Sequence, residues 1–121
     1  VVSDERIKEN IVLADLDRCY DIVKTIPLKR FTFKDSCFTE EQVKDRSALG
    51  WIAQDVQPIF PKAVGSHDFI LHKPKDAGDD YIEEIIKDCL DLNAGQIMAS
   101  MYGAIQKLIQ KVEALEKRLE K

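Results

Sequence analysis

The chain has 121 residues, of which 45% are hydrophobic and 33% are charged, and its formal net charge is -4. That length supplies one domain with a modest core rather than two. The charges are mostly balanced and form no basic stripe, which argues against binding to nucleic acid. No apolar run reaches the roughly 18 residues that a membrane-spanning helix needs, so we expect no membrane contact.

Cysteine and histidine usage gives little sign of a metal or cofactor site. The three cysteines are widely spaced and form no CxxC pair, which predicts reduced, mostly buried thiols. They are Cys19, Cys37 and Cys89. His67 and His72 stand five residues apart with only Asp68 close by, which is a weak metal signal. We expect no metal, no cofactor and a reducing, cytoplasmic compartment.

The first third of the chain predicts two helices and a strand. Residues 4–11 form a polar helix start, with acids where the helix dipole favours them. Apolar residues recur at helical spacing from Leu16 to Ile26, and a proline follows, which predicts a helix that ends there. Residues 28–35 alternate, with both phenylalanines on one face, which is typical of a half-buried strand.

The middle of the chain predicts short elements separated by loops. Thr39 and Gln42 have the spacing of a capping box and predict a short helix or a surface excursion. The apolar stretch ALGWIA, residues 48–53, predicts a buried strand, and residues 54–57 predict a turn of helix. FILHK, residues 69–73, predicts an edge strand before a polar loop with proline and glycine.

From residue 81 onward the pattern is helical. Residues 81–92 predict a first helix, which residues 93–95 separate from a final one. In the final helix, apolar residues follow at steps of 3, 4, 3, 4, 3 and 4, which is a heptad repeat of period 3.5. We call these residues the heptad seam. They are Met98, Met101, Ile105, Leu108, Val112, Leu115 and Leu119.

The heptad seam predicts self-association. The terminal stretch EALEKRLEK is too charged all round to be buried broadly within one domain. Branched residues at the a positions with leucine at the d positions favour a dimer, whereas Ile109 at an e position widens the apolar face and favours three or more strands. The residues alone leave dimer and trimer open.

Ser3 and Lys8 are the candidates for chemistry. Nucleophilic catalysis needs a hydroxyl and a group that takes its proton, and neither histidine stands in a recognisable triad. On a continuous helix the two side chains would be about 140° apart and would not meet. If Ser3 caps or precedes the helix, the chain bends back and Lys8 can reach it, with first-turn N–H groups nearby for an oxyanion. The competing interpretation is that Ser3 simply caps the helix and Lys8 is a solvated charge.

Three stretches together carry a resemblance that spans essentially the whole chain. They are SDERIKENI, GWIAQDVQPIFPKAV and AIQKLIQKVEALEKRLEK, in this order. They resemble the C-terminal intramolecular chaperone autoproteases, the endosialidase-type chaperone domains at the ends of phage tailspikes and tail fibres. A related domain occurs in membrane-anchored transcription factors of the myelin regulatory factor type. Residues 35–48 match nothing in this pattern, so we expect an insertion there.

The resemblance implies a homotrimer that drives folding of the protein fused to its N-terminal side and then cuts itself off. Ser3 matches the serine of the family and Lys8 matches its lysine. The scissile bond would be Val2–Ser3, so the precursor segment of the chain itself would be both folding client and substrate. The last helix would form a three-stranded coiled coil. Gly50 to Gln54 matches a family signature to which we assign no catalytic role.

We therefore predict an α+β fold, with a small mixed helix and strand domain at residues 1–92 and a trimeric coiled-coil helix at 93–121. The predicted function is a self-cleaving intramolecular chaperone with a Ser3–Lys8 dyad, acting in the host cytoplasm if the protein is viral. Nearby acids favour charged Lys8, so we expect assembly to desolvate it before it acts as a base. The alternative is a non-catalytic homotrimerisation module of a fibre or a transcription factor.

Overall fold

A computed structural model describes residues 1–120 and shows an arrangement of helices and small antiparallel sheets. In chain order the elements are α1 (Leu16–Thr25), β1 (Lys29–Thr32), β2 (Ser47–Gly50), α2 (Ala53–Val56), β3 (Val64–Ile70), β4 (Ile85–Leu92) and α3 (Ala94–Leu119). Single turns of 3-10 helix lie at Glu5–Ile7 and Pro61–Ala63. The strands pair as β1–β2 and β3–β4 in two separate sheets. The predicted α+β class is confirmed.

Helix α1 forms where the apolar spacing predicts it. Asp15 caps its first turn, and the Asp15 carboxylate accepts a hydrogen bond of 3.1 Å from the backbone N–H of Arg18. The helix ends at Thr25, one residue short of the predicted end, with Pro27 just beyond it. Ile22 on its inner face is buried, which fixes the face of α1 that meets the core.

The strand predicted at residues 28–35 exists as β1, which pairs antiparallel with β2 in the register Lys29↔Gly50. The loop between them holds most of the predicted insertion. Its capping box is present, because Thr39 N–H donates to the Gln42 side chain (2.9 Å) and Gln42 N–H donates to the Thr39 hydroxyl (3.2 Å). The capping box closes a turn, and no helix follows it. Of the two predicted forms, a short helix or a surface excursion, the segment therefore takes the second.

The strand predicted at residues 48–53 is wrong in its extent and its burial. Strand β2 ends at Gly50, and Leu49 on it is 64% exposed. Helix α2 then begins at Ala53 and buries Val56 completely. The apolar run in this stretch therefore extends from strand β2 into the start of helix α2, and continuous hydrophobicity alone does not separate the two elements.

The helix predicted at residues 81–92 is wrong, because residues 85–92 form strand β4. This strand pairs antiparallel with β3 from Val64↔Leu92 to Ile70↔Ile85, with an irregularity between His67 and Phe69. The edge strand predicted at residues 69–73 is wrong in its extent, because β3 runs from Val64 to Ile70 and overlaps it at only two residues. The apolar side chains of β4 recur at spacings that suit a helix, but the long-range ladder with β3 overrides this local pattern.

Helix α3 begins at the predicted break, where the Asn93 side chain accepts a hydrogen bond of 3.4 Å from Gln96 N–H. One face of α3 packs on α1. Buried Gly103 lies on this face, against Leu16 and Cys19. The same face also carries an ion pair of 2.7 Å between Lys107 Nζ and the Asp17 carboxylate. The core under these contacts consists of Ile22, Ile26, Val56, Ala63 and Ile97.

Candidate functional site

The N-terminal segment bends in the way that would bring Ser3 and Lys8 together. Ser3 precedes the 3-10 turn, and the residue that caps the turn is Asp4, whose carboxylate accepts a 2.8 Å hydrogen bond from Arg6 N–H. Lys8 leaves the turn in an extended conformation, with φ -122° and ψ 154°. A helix continued through residue 11, as the sequence predicts, does not form. Ser3 is therefore free of the capping role that the competing interpretation gave it.

The Lys8 ammonium donates a hydrogen bond to the Ser3 hydroxyl oxygen. A Ser–Lys pair needs this contact before the reaction begins. In the reaction itself the lysine amine is neutral and accepts the proton of the hydroxyl. The structure brings these two side chains together, and their catalytic role stays a prediction. The contact spans only five positions of the chain, so the 3-10 turn alone creates it.

Asp4 and Arg6 form a second pair inside the same turn, which the sequence analysis missed. The Arg6 Nε and Nη2 atoms lie 3.0 Å and 2.9 Å from the two Asp4 carboxylate oxygens. These side-chain hydrogen bonds, with the one from Arg6 N–H, hold the pKa of Asp4 below its ordinary value and raise that of Arg6. The signal in the sequence is a cap residue followed two positions later by arginine.

Backbone N–H groups of the first turn are mostly engaged within the turn. Arg6 N–H donates to the Asp4 side chain, Ile7 N–H to the Asp4 carbonyl at 3.2 Å, and Lys8 N–H to the Glu5 carbonyl at 3.1 Å. These three groups are therefore not available to an oxyanion, contrary to what the sequence suggests for the first turn. Residues 1–8 are all exposed, so the site is open to solvent on a single chain.

The heptad seam is exposed along its whole length. Its members range from 40% exposed at Met101 to 86% at Leu119. The seam lies on a different face of α3 from Gly103, which is buried against α1. An apolar groove of about 180 Å³ adjoins the seam at Met101 and is lined by Trp51 and by residues of α1. One face of α3 thus packs against the rest of the chain, and another face carries a continuous, exposed apolar stripe.

The cysteines and histidines take part in no metal cluster within residues 1–120. The three cysteines are free thiols of intermediate exposure, where the sequence predicts mostly buried ones. His67 Nδ1 lies 2.8 Å from an Asp91 carboxylate oxygen, across the β3–β4 ladder. In the same part of the chain, none of the helices combines the length and the apolar character that crossing a bilayer would require.

Comparisons with known proteins agree with this architecture. A crystal structure of a novel intramolecular chaperon superimposes with a TM-score of 0.60 over 90% of this chain and 99% of the other, at 18% sequence identity. That likeness supports the fold. Residues 3–65, just over half of the chain, match the model of a peptidase family described as the chaperone of endosialidase. The matched stretch begins at Ser3 and contains Lys8 and the Gly50–Gln54 signature. The resemblance predicted from the sequence is confirmed, and the chain belongs to the endosialidase chaperone family of intramolecular chaperone domains.

Proposed function

We propose that this domain is a self-cleaving intramolecular chaperone that assembles as a homotrimer and assists folding of the protein fused to its N-terminal side. The observation that carries the proposal is the hydrogen bond between Lys8 and the Ser3 hydroxyl, next to the Val2–Ser3 peptide bond. Membership in a peptidase family supports a hydrolytic role. The client and the substrate are then the same polypeptide, upstream of Ser3.

The proposed reaction proceeds in two steps. Neutral Lys8 takes the proton of the Ser3 hydroxyl, and the Ser3 oxygen attacks the carbonyl carbon of Val2. The Val2–Ser3 C–N bond breaks, the Ser3 nitrogen receives the proton from Lys8 and leaves as a free amine, and Val2 is held as an ester on the Ser3 oxygen. Water then hydrolyses the ester, which restores the hydroxyl and leaves a carboxylate on Val2. Each domain cleaves once.

Trimerisation is the second part of the proposal, and the exposed heptad seam supports it. Apolar residues at a and d positions become stable when facing helices bury them. Seam residues such as Ile105 and Leu108, which are 53% and 48% exposed, would gain that burial in the bundle. A lysine loses preference for its charged form when it is desolvated. Assembly that covers the segment around Lys8 would therefore favour the neutral amine that the reaction needs.

The reducing, cytoplasmic compartment expected from the sequence also belongs to this proposal. The three cysteines are free thiols of intermediate exposure, which suits a compartment where disulfides do not persist. A viral parent protein would place the domain in the cytoplasm of the host.

The test is a fusion of a folded reporter to the N-terminus of the domain, with fragments followed by gel and mass spectrometry. We expect wild type to yield a fragment that begins at Ser3. Ser3→Ala and Lys8→Ala should reduce cleavage by at least about 10³-fold. Lys8→Arg should fail equally, because arginine keeps the charge and the donors but does not act as a base. Lys62→Ala, which removes an exposed lysine elsewhere, is the matched control and should cleave normally.

The alternative is a homotrimerisation module without catalysis, and the exposed seam favours it independently of the Ser3–Lys8 contact. It predicts the same assembly and an intact Val2–Ser3 bond in wild type. Cleavage that continues at full rate in Ser3→Ala would rule out the dyad. An uncut wild-type fusion that is nevertheless trimeric would establish the alternative.

A further inference from the structure

The acid beside the proposed nucleophile is a difficulty for the reaction. Asp4 follows Ser3 directly, and a carboxylate near Lys8 stabilises the ammonium, which cannot act as a base. A short, flexible surface segment would ordinarily let the lysine pair with such an acid. The structure shows a different pairing, and the inference drawn from it rests on the proposed function.

Both oxygens of the Asp4 carboxylate are occupied by Arg6. Oδ1 accepts from the backbone N–H at 2.8 Å and from Nε at 3.0 Å, and Oδ2 accepts from Nη2 at 2.9 Å. Lys8 bonds to Ser3 instead. Among residues 1–120, the ion pairs within 4.0 Å include none between Lys8 and a carboxylate.

We propose that Arg6 is a positioning residue, which holds the Asp4 carboxylate away from Lys8 and so leaves the Lys8 amine to the Ser3 hydroxyl. Arginine suits this task because its planar fork binds a carboxylate at two points and fixes the orientation of that group. The pair is exposed, with Arg6 at 86% and Asp4 at 43%, so its contribution to stability is small. What the pair affects is whether Lys8 contacts the Ser3 hydroxyl or the Asp4 carboxylate.

The charged residues within four positions of Lys8 in the sequence are Asp4, Glu5, Arg6 and Glu9. Within residues 1–120, no side-chain hydrogen bond or ion pair joins residues 4–9 to a helix or strand. Asp4 is the acid that the 3-10 turn fixes beside Ser3, because it caps the turn. Removing Arg6 therefore releases Asp4 and removes a positive charge near Lys8, and both changes favour the Lys8 ammonium.

The experiment measures the cleavage rate of the reporter fusion between pH 6 and 10 for wild type, Arg6→Ala and the double variant Arg6→Ala/Asp4→Asn. Released Asp4 favours charged Lys8, so the rate profile of Arg6→Ala should move to higher pH. Its rate at pH 7 should fall about three- to tenfold, as expected for one unscreened neighbouring charge at a surface. The double variant keeps a capping side chain without the charge. Its pH profile should return to that of wild type. Lys44→Ala, which removes an exposed positive charge in the loop, should leave the profile unchanged.

Two results would overturn the positioning role. One is an Arg6→Ala profile that coincides with wild type, and the other is a slowed Arg6→Ala that Asp4→Asn does not restore, which would mean that Arg6 only supports the turn. Both are read against Ser3→Ala in the same fusion. If Ser3→Ala also cleaves, the proposed function itself has failed, and that outcome is distinct from failure of the Arg6 inference alone.

Discussion

Gly103 of α3 lies so close to Cys19 of α1 that an added Cβ would stand 2.6 Å from the Cys19 Sγ and 2.9 Å from its Cβ. The second distance involves an atom fixed to the helix backbone, so rotation of the thiol alone does not relieve it. Gly103→Ala should therefore push α1 and α3 apart. Overpacking costs about 1–3 kcal/mol, against a gain of about 1 kcal/mol for removing a glycine from a helix interior. We expect a net loss of stability of up to about 2 kcal/mol in urea unfolding.

The control for this prediction is Gln110→Ala, an exposed site on the same helix, which should change stability little. Gly103→Ala/Cys19→Ala should recover part of the loss, because it removes the nearer of the two clashing atoms. All variants are compared at one protein concentration, since association would add to apparent stability. A Gly103→Ala chain more stable than wild type would show that the two helices are not in close contact there.

Asp17 and Lys107 join the same two helices, and their pair makes stability depend on pH. The hydrogen bond from Lys107, followed by the charge of Lys107, holds the pKa of Asp17 below its ordinary value of 3.8. A depressed carboxyl pKa stabilises the folded state above the unfolded value and loses that effect as pH falls through the folded value. Asp17→Asn should therefore lower the urea midpoint slightly at pH 7, and the difference should shrink below pH 3.8. An equal difference at pH 7 and pH 2 would contradict this.

The heptad seam should control oligomeric state without controlling the fold of one chain. Ile105→Lys/Leu108→Lys places charges on the exposed stripe, away from the α1 contact. We expect a monomer by light scattering with wild-type helix content by circular dichroism. In the reporter fusion, cleavage should be slower than in wild type if assembly is what desolvates Lys8.

Gln110→Lys is the matched control for the seam, since it adds a charge at the outward f position of the same helix. It should keep the oligomeric state of wild type and cleave normally. A seam double variant that is monomeric but cleaves at the wild-type rate would exclude assembly as the trigger, while leaving the Ser3–Lys8 pair itself in place.

Local signals in the sequence predicted several elements correctly, because the residues that define them are neighbours in the chain. Helix α1 follows from apolar spacing and a proline after it, and the start of α3 follows from the break at Asn93. The reciprocal hydrogen bonds of Thr39 and Gln42 follow from their three-residue spacing. The division at residue 92, the coiled coil and its strand number stay predictions.

The wrong helix at residues 81–92 has a physical cause, which is dependence on residues far away in the chain, whereas the questions at the site are local. Residues 85–92 have apolar spacing that fits a helix, but their backbone pairs with residues 64–70 in a ladder that no local window contains. At the site, contact between Ser3 and Lys8 depends on which residue caps the turn. The sequence allows Ser3 or Asp4 as the cap, and in the structure it is Asp4. The sequence does not single out Arg6, because only the 3-10 turn brings its side chain into contact with the Asp4 carboxylate.

The shortness of the chain between Ser3 and Lys8 has a kinetic consequence for the proposed reaction. Loops of about ten residues close in roughly 10–100 ns, far faster than a domain folds. A pair only five positions apart therefore meets repeatedly in a nascent chain, long before any client has matured. Contact between Ser3 and Lys8 therefore forms too early to determine when cleavage takes place. If cleavage must wait until the client has folded, a slower event has to control its rate. We expect that event to act through the protonation state of Lys8.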